Sequence, residues 1–169
     1  MTRIINNSSD PDISVSEDGA APTNNIMSTL REELKRKIEN KPLTLAIPSR
    51  EGVSIKFNTN IEAGLIQQWR KRASDKTMPD GFDPLKFACI VLANQAEVVI
   101  HQGKEAVGNN KDFINFKNPE LLEMLGSERA VDAVRKMYGI DGHILQVVEK
   151  LFSAAGYDAE TSETDADPF

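Results

Sequence analysis

Cysteine and aromatic residues are scarce in this chain of 169 residues. It has one cysteine, Cys89, and aromatic residues make up 6% of the sequence. A single cysteine cannot form an intrachain disulfide, so a disulfide-stapled scaffold is excluded and a reducing compartment is expected. No stretch approaches the roughly 20 apolar residues of a membrane span, and the first residues lack the apolar run of a signal peptide. We therefore expect a cytoplasmic protein that does not contact a membrane.

The signatures of common catalytic and metal sites are also missing. The two histidines, His101 and His143, stand far apart in the chain and have no zinc-binding spacing. There is no phosphate-binding loop and no Gly-x-Ser-x-Gly nucleophile elbow. Cys89 lies in the apolar run FACIVLA, which is typical of a small core residue and not of a nucleophile. We expect no enzymatic activity, no cofactor and no metal.

The acidic residues are concentrated at the two ends of the chain. The net charge is −6, and residues 156–169 carry five acidic residues and no basic one. Residues 1–30 carry four acidic residues and one basic residue. Polar segments of this kind bury too little apolar surface to offset chain entropy. The sequence therefore predicts a disordered arm over 1–28, one globular domain over 29–156 and a disordered acidic tail over 157–169.

The pattern inside the domain predicts an α+β fold, with an N-terminal β-hairpin packed with a mostly helical domain. Apolar and polar residues alternate over 43–47 and again over 53–57, and the loop 48–52 joins the two runs. This period-2 pattern is typical of a hairpin with one buried face. Residues 97–107 are predicted to form a strand, a turn and a second short strand, with a helix as the alternative.

Several helices are predicted from their start and stop signals. A helix over 61–73 would be capped within Asn58–Asn60 and would carry Trp69 on its apolar stripe. Asp83 followed by proline predicts the start of a buried helix. In the last third of the chain, Pro119 begins a short helix, and Ser127 and Asp141 are predicted to cap two more. Glycines at 126, 139 and 156 are predicted to end these helices.

A short charged helix is predicted before the hairpin, over 30–39. Thr29 and Glu32 have the spacing of a capping box, and its two glutamates stand four residues before basic partners. The few apolar side chains recur at four-residue intervals and form a narrow stripe: Leu30, Leu34 and Ile38. Such a stripe could dock on the domain or on a partner protein.

Two basic clusters raise the possibility of nucleic-acid binding. They are Lys35-Arg36-Lys37 and Trp69-Arg70-Lys71-Arg72, and the second places an aromatic ring beside three cations. Trp69, however, falls on the apolar stripe of its helix, which favours packing in the core over stacking on bases. The acidic ends would also repel phosphates. These features argue against nucleic acid as a partner, and a small DNA-binding regulator stays an alternative.

The hairpin LAIPSREGVSIKF runs directly into NTNIEAGLIQQWRKRA, a helix rich in basic residues. FACIVLANQAEVVI and the closing segment KMYGIDGHILQVVEKLFSAAGYD follow. From about residue 43 to 157, this arrangement resembles tail assembly chaperones of long-tailed bacteriophages, particularly those of actinobacteria. The resemblance implies a non-enzymatic, self-associating module in the host cytoplasm. It would bind the tape-measure protein and keep it soluble until the tail tube protein, a second candidate partner, polymerises around it.

The resemblance also implies a longer product, made by a programmed frameshift near the end of the short reading frame. It transfers no residue-level motif, so the predicted protein-binding residues come from the stripe and from the hairpin loop, beside the hairpin's exposed edge: Leu30, Leu34, Ile38, Ser49, Arg50 and Glu51. The alternative is a virion structural protein of the head–tail region, such as a connector or completion protein. A structural protein would be retained in finished particles, whereas a chaperone would be missing from them.

Overall fold

The computed structural model describes residues 25–157, which divide into two compact units by their internal contacts. The boundary between them falls between Glu39 and Asn40, so residues 25–39 belong to the first unit and residues 40–157 to the second. Of the predicted arm (1–28) and acidic tail (157–169), residues 1–24 and 158–169 lie outside the described residues. Within the described part the fold is α+β, with helices and an antiparallel sheet of four strands, as the sequence pattern predicts.

Helix α1 covers residues 25–35 and is the regular element described in the first unit. The prediction of a helix over 30–39 is therefore wrong at both ends, and residues 25–28 are helical, not disordered. Thr29 does not cap this helix, because its hydroxyl donates to the carbonyl of Asn25 in the preceding turn. The ion pairs also form three residues apart, Lys35 with Glu32 and Arg36 with Glu33, instead of four.

The second unit begins with a polar clamp on the chain that precedes the sheet. The Asn40 backbone N–H donates to Oδ1 of Asn60 at 3.0 Å, and its side-chain amide donates to the Thr59 carbonyl at 3.0 Å. The buried Thr59 hydroxyl donates to the carbonyl of Lys41 at 2.7 Å. These bonds fix the chain where it enters the first strand. They also occupy the side-chain oxygen of Asn60, which was one of the predicted cap residues for the helix that follows.

The sheet has the strand order β1-β2-β3-β4, and every neighbouring pair is antiparallel. Its strands are β1 (Leu43–Ala46), β2 (Val53–Phe57), β3 (Ala96–His101) and β4 (Lys104–Glu105). The predicted hairpin is confirmed, with Leu43 opposite Phe57 and Ala46 opposite Ser54. The strand-turn-strand prediction for 97–107 is also confirmed, and the helical alternative is wrong.

The helices of the second unit are α2 (Ala63–Arg72), α3 (Pro84–Gln95), α4 (Pro119–Leu125), α5 (Ala130–Tyr138) and α6 (Asp141–Ala154). Asp83 caps α3 as predicted, and its carboxylate accepts from the N–H groups of Leu85 and Lys86. Gly126 and Gly139 adopt the left-handed conformation that ends α4 and α5. The start of α2 differs from the prediction, because Glu62 is its N-cap and contributes no side-chain bond.

The predicted caps of the last two helices are wrong. Arg129, and not Ser127, is the N-cap of α5. Ser127 instead belongs to the end of α4, where its N–H donates to the Leu122 carbonyl. Ile140 is the N-cap of α6, and Asp141 is its first helical residue. The Asp141 carboxylate pairs with Arg135 at 3.3 Å, so a neighbouring cation competes with the helix end for it.

The core is one cluster that joins the sheet to the helices. Helix α3 is its centre: it packs against α2, α5 and α6, and seven of its residues are buried. Trp69 of α2 is 4% exposed and lies in this cluster, which confirms its assignment to the core. Cys89 is fully buried there as well, as its apolar surroundings predict.

Candidate interaction surfaces

Helix α1 carries an exposed apolar face made from four side chains. Ile26, Met27, Leu30 and Leu34 are 66%, 53%, 46% and 76% exposed. At 100° per residue these positions fall within an arc of about 100°, so they form one side of the helix. We call this set the α1 face. Large apolar side chains on one side of a helix are the pattern with which an amphipathic helix enters a partner's groove.

The structure brings two of the three predicted stripe residues together on this face. Leu30 and Leu34 belong to it, whereas Ile38 lies beyond the last helical residue and is 91% exposed. Ile26 and Met27 were missed, because they stand in a polar segment predicted to be disordered. The signal that could have found them is their spacing of four and three residues before Leu30.

The hairpin loop uses its polar side chains inside the domain. The Ser49 hydroxyl donates to the Tyr138 carbonyl at 2.6 Å. The Arg50 guanidinium donates to the carbonyls of Met137 and Lys136, at 2.5 and 3.0 Å. The last carbonyls of a helix have no intrahelical partner, and a cation there is favoured by the helix dipole. Ser49 and Arg50 therefore cap the C-terminus of α5.

Glu51, the third predicted loop residue, is exposed and stands beside these two capping residues. Strand β1, the predicted exposed edge of the hairpin, is indeed an edge strand of the sheet. A partner-binding role for Ser49, Arg50 and Glu51 stays a prediction. Within the domain, Ser49 and Arg50 cap the C-terminus of α5.

A groove of about 670 Å³ lies along α3 and the start of α5, and it is rich in positive charge. We call it the basic groove. Its cations are Arg72, Lys86, Lys117, Arg129 and Arg135, and its acidic residues are Asp83 and Asp132. The floor is apolar and includes Cys89, Ile90 and Ala93.

Three of these five cations have polar partners. Arg129 pairs with Asp132 at 3.2 Å, and Arg135 pairs with Asp141 at 3.3 Å. Lys117 donates to Oδ1 of Asn94 at 3.2 Å. Arg72 and Lys86 have no ion pair within residues 25–157. Sequence analysis missed the groove, because its residues come from α2, α3, α5 and the chain between them.

The arrangement offers little for metal or nucleophilic chemistry. Across residues 25–157, no three His, Cys, Asp or Glu side chains form a group that could hold a metal ion. Burial raises the pKa of the Cys89 thiol to about 12, so it stays protonated and unreactive near neutral pH. Within the same range, no helix combines the length and the apolar character that a membrane span requires.

Comparison with known proteins yields one structural likeness. No family model and no curated protein matches the sequence. The structure is similar to the crystal structure of the protein YqbN, with a TM-score of 0.49 and 15% sequence identity. The similarity covers 73% of this chain and 92% of that one.

Proposed function

We propose that this protein is a non-enzymatic tail assembly chaperone of a long-tailed bacteriophage. In this role it binds the tape-measure protein in the host cytoplasm through the α1 face. The observation that supports this function is the exposure of four large apolar side chains on one side of α1. The choice of the tape-measure protein as the partner rests on the resemblance of residues 43–157 to such chaperones.

A tape-measure protein exposes long apolar helical surface before the tail tube encloses it. Several copies of a small domain could cover such a surface, each contributing one apolar helix face. Burial of Ile26, Met27, Leu30 and Leu34 would supply the binding energy, because apolar area removed from water is the main favourable term in association. The charged residues on the other side of α1 would keep the complex soluble.

The test is co-expression with the tape-measure protein encoded by the same phage, followed by measurement of that protein in the soluble fraction. The double variant Leu30→Gln/Leu34→Gln removes the centre of the α1 face. The matched control, Glu32→Gln/Lys35→Gln, introduces the same side chain on the other side of the helix. We expect the first variant to lose more than half of the soluble tape-measure protein and the control to lose little. Equal solubility with all three chains would contradict the proposal.

The head–tail structural protein is the rival function, and finished particles separate the two. Mass spectrometry of purified virions should find the chaperone absent, and a connector or completion protein would be present in defined copy number. A second experiment expresses the N-terminally tagged gene with its native downstream DNA and detects the tagged products by blotting. A minor, larger band that disappears on silent recoding of the 3′ end supports a frameshifted chaperone product.

A further inference from the structure

The basic groove has more positive charge than its own acidic residues balance. Five cationic side chains line it against two carboxylates, and a third carboxylate, Asp141, pairs with Arg135 from outside the lining. Asp83, one of the two lining carboxylates, already accepts two N–H bonds as the cap of α3. The pairs that Arg129 and Arg135 make are about half exposed or more, and exposed pairs contribute little free energy and exchange readily. The groove therefore presents a net positive surface that an anionic group would complement.

An acidic segment of the chain follows immediately after the last described residue. Residues 158–169 contain Asp158, Glu160, Glu163, Asp165 and Asp167 and no basic residue. The segment has five carboxylates, as many as the groove has cations.

The chain leaves the second unit close to the helix that forms the groove. Tyr157 donates its hydroxyl to the Ile61 carbonyl at 3.0 Å, and its ring meets the edge of Phe152 at 6.0 Å. Phe152 in turn stacks on Phe87, at 6.0 Å between centroids. Phe87 follows Lys86, a groove residue, in the first turns of α3. Twelve further residues can span about 40 Å when extended.

From these observations we infer that the basic groove binds the acidic segment 158–169 of the same chain. The attachment at Tyr157 gives the segment an effective concentration of order mM, so even weak ion pairs populate the bound state. Binding of this kind depends on charge and on several partially exposed contacts, and it weakens as salt screens them. The inference does not rest on the identity of the tape-measure partner.

Paramagnetic relaxation in the full-length protein tests this inference directly. A nitroxide is attached at Thr164→Cys; buried Cys89 does not react near neutral pH, and mass spectrometry verifies a single label. We expect the amide signals of Lys86, Ala130 and Val131 to lose more than half of their intensity relative to the reduced label. The amide of Thr44, on the edge strand β1 and outside the groove, serves as the reference. At about 0.5 M NaCl, where the Debye length is about 4 Å, the signals should return.

Charge reversal in the groove supplies the specificity control. Arg72→Glu/Lys86→Glu reverses the two cations that lack ion pairs and should abolish the broadening. The matched variant Lys71→Glu/Lys76→Glu makes the same change in net charge outside the groove and should preserve it. All four side chains are exposed, and an unchanged pattern of core amide signals verifies that each variant is folded.

Three results would overturn the inference. The first is normal intensity at the groove amides of the labelled wild-type chain. The second is equal loss of broadening in both charge-reversal variants, which would indicate general attraction and not a site. The third is full broadening of the groove amides in a mixture of nitrogen-15 chains without nitroxide and nitroxide-labelled chains without nitrogen-15. That result would assign the segment to a second copy of the protein.

Discussion

Arg50 donates from its Nε to the carbonyl oxygen of Met137, at 2.5 Å, and so joins the hairpin loop to the last turn of α5. The second guanidinium bond, to Lys136, and the Ser49 hydroxyl bond, to Tyr138, satisfy the neighbouring carbonyls. The Gly139 N–H donates to the fourth terminal carbonyl, that of Arg135. All four terminal carbonyls of this helix thus have donors, and two residues of a distant hairpin supply three of them.

Replacement of Arg50 by alanine should lower the free energy of unfolding by about 1–2 kcal/mol. Two charge-assisted bonds are lost, and the partial exposure of the side chain reduces their contribution. Urea denaturation monitored by circular dichroism measures the loss. The adjacent Glu51→Ala is the control, with a change within about 0.5 kcal/mol. Similar losses for both variants would argue against capping as the role of Arg50.

Trp69→Ala should cost about 3–5 kcal/mol, because the ring is buried in the core and its removal leaves a cavity. The midpoint of urea unfolding is the appropriate readout. Met124, which is 80% exposed, provides the comparison: Met124→Ala should change stability by no more than about 0.5 kcal/mol. A comparably small effect for Trp69→Ala would indicate that the indole is not part of the core and would make it a candidate for binding a partner.

Tyr157 should mark the end of the folded domain. A chain truncated after Tyr157 should be more stable than one truncated after Gly156, by about 1–2 kcal/mol. The difference comes from the hydroxyl bond to Ile61 and the ring contact with Phe152. In the chain truncated after Tyr157, the substitution Tyr157→Phe should remove only the stabilisation from the hydroxyl bond and keep that from the ring contact. Thermal unfolding of the three chains side by side gives the comparison, and identical curves would place the boundary earlier.

The Cys89 thiol makes stability depend on pH in the alkaline range. Its pKa is raised to about 12 by burial, whereas in the unfolded chain it ionises near 9. The unfolded state therefore releases the proton first, and the stabilising contribution, complete below pH 9, is lost as pH rises towards 12. Between pH 9 and 11 the wild type should lose stability faster than Cys89→Ala. Equal slopes for the two proteins would contradict this assignment.

The strongest local patterns in the sequence predict the fold well. The alternation in 43–47 and 53–57 specifies the hairpin, because only one register places the apolar residues on a single buried face. Asp83 followed by proline specifies the start of α3, and glycine at 126 and 139 specifies two helix ends. In each case one backbone conformation is strongly favoured by nearby residues.

Two wrong cap predictions share a cause, which is competition by groups that the local pattern does not reveal. Asn60 accepts a bond from Asn40 and so does not cap α2. Asp141 pairs with Arg135 instead of capping α6. The basic groove could not be predicted either, because its cations come from separate elements that only the tertiary fold brings together. The α1 face was half predicted, since the polar residues around Ile26 and Met27 hid their helical spacing.

The bonds that Ser49 and Arg50 make to α5 span 86 to 89 residues of sequence. A ribosome adds about 5–20 residues per second, so the loop is made about 4–18 s before its acceptors. Strands β3 and β4, which complete the sheet, and helix α6, which packs on the core helix α3, also follow the hairpin in the chain. During translation the early hairpin therefore emerges with its apolar face uncovered, and the domain cannot close until its C-terminal helices have left the exit tunnel.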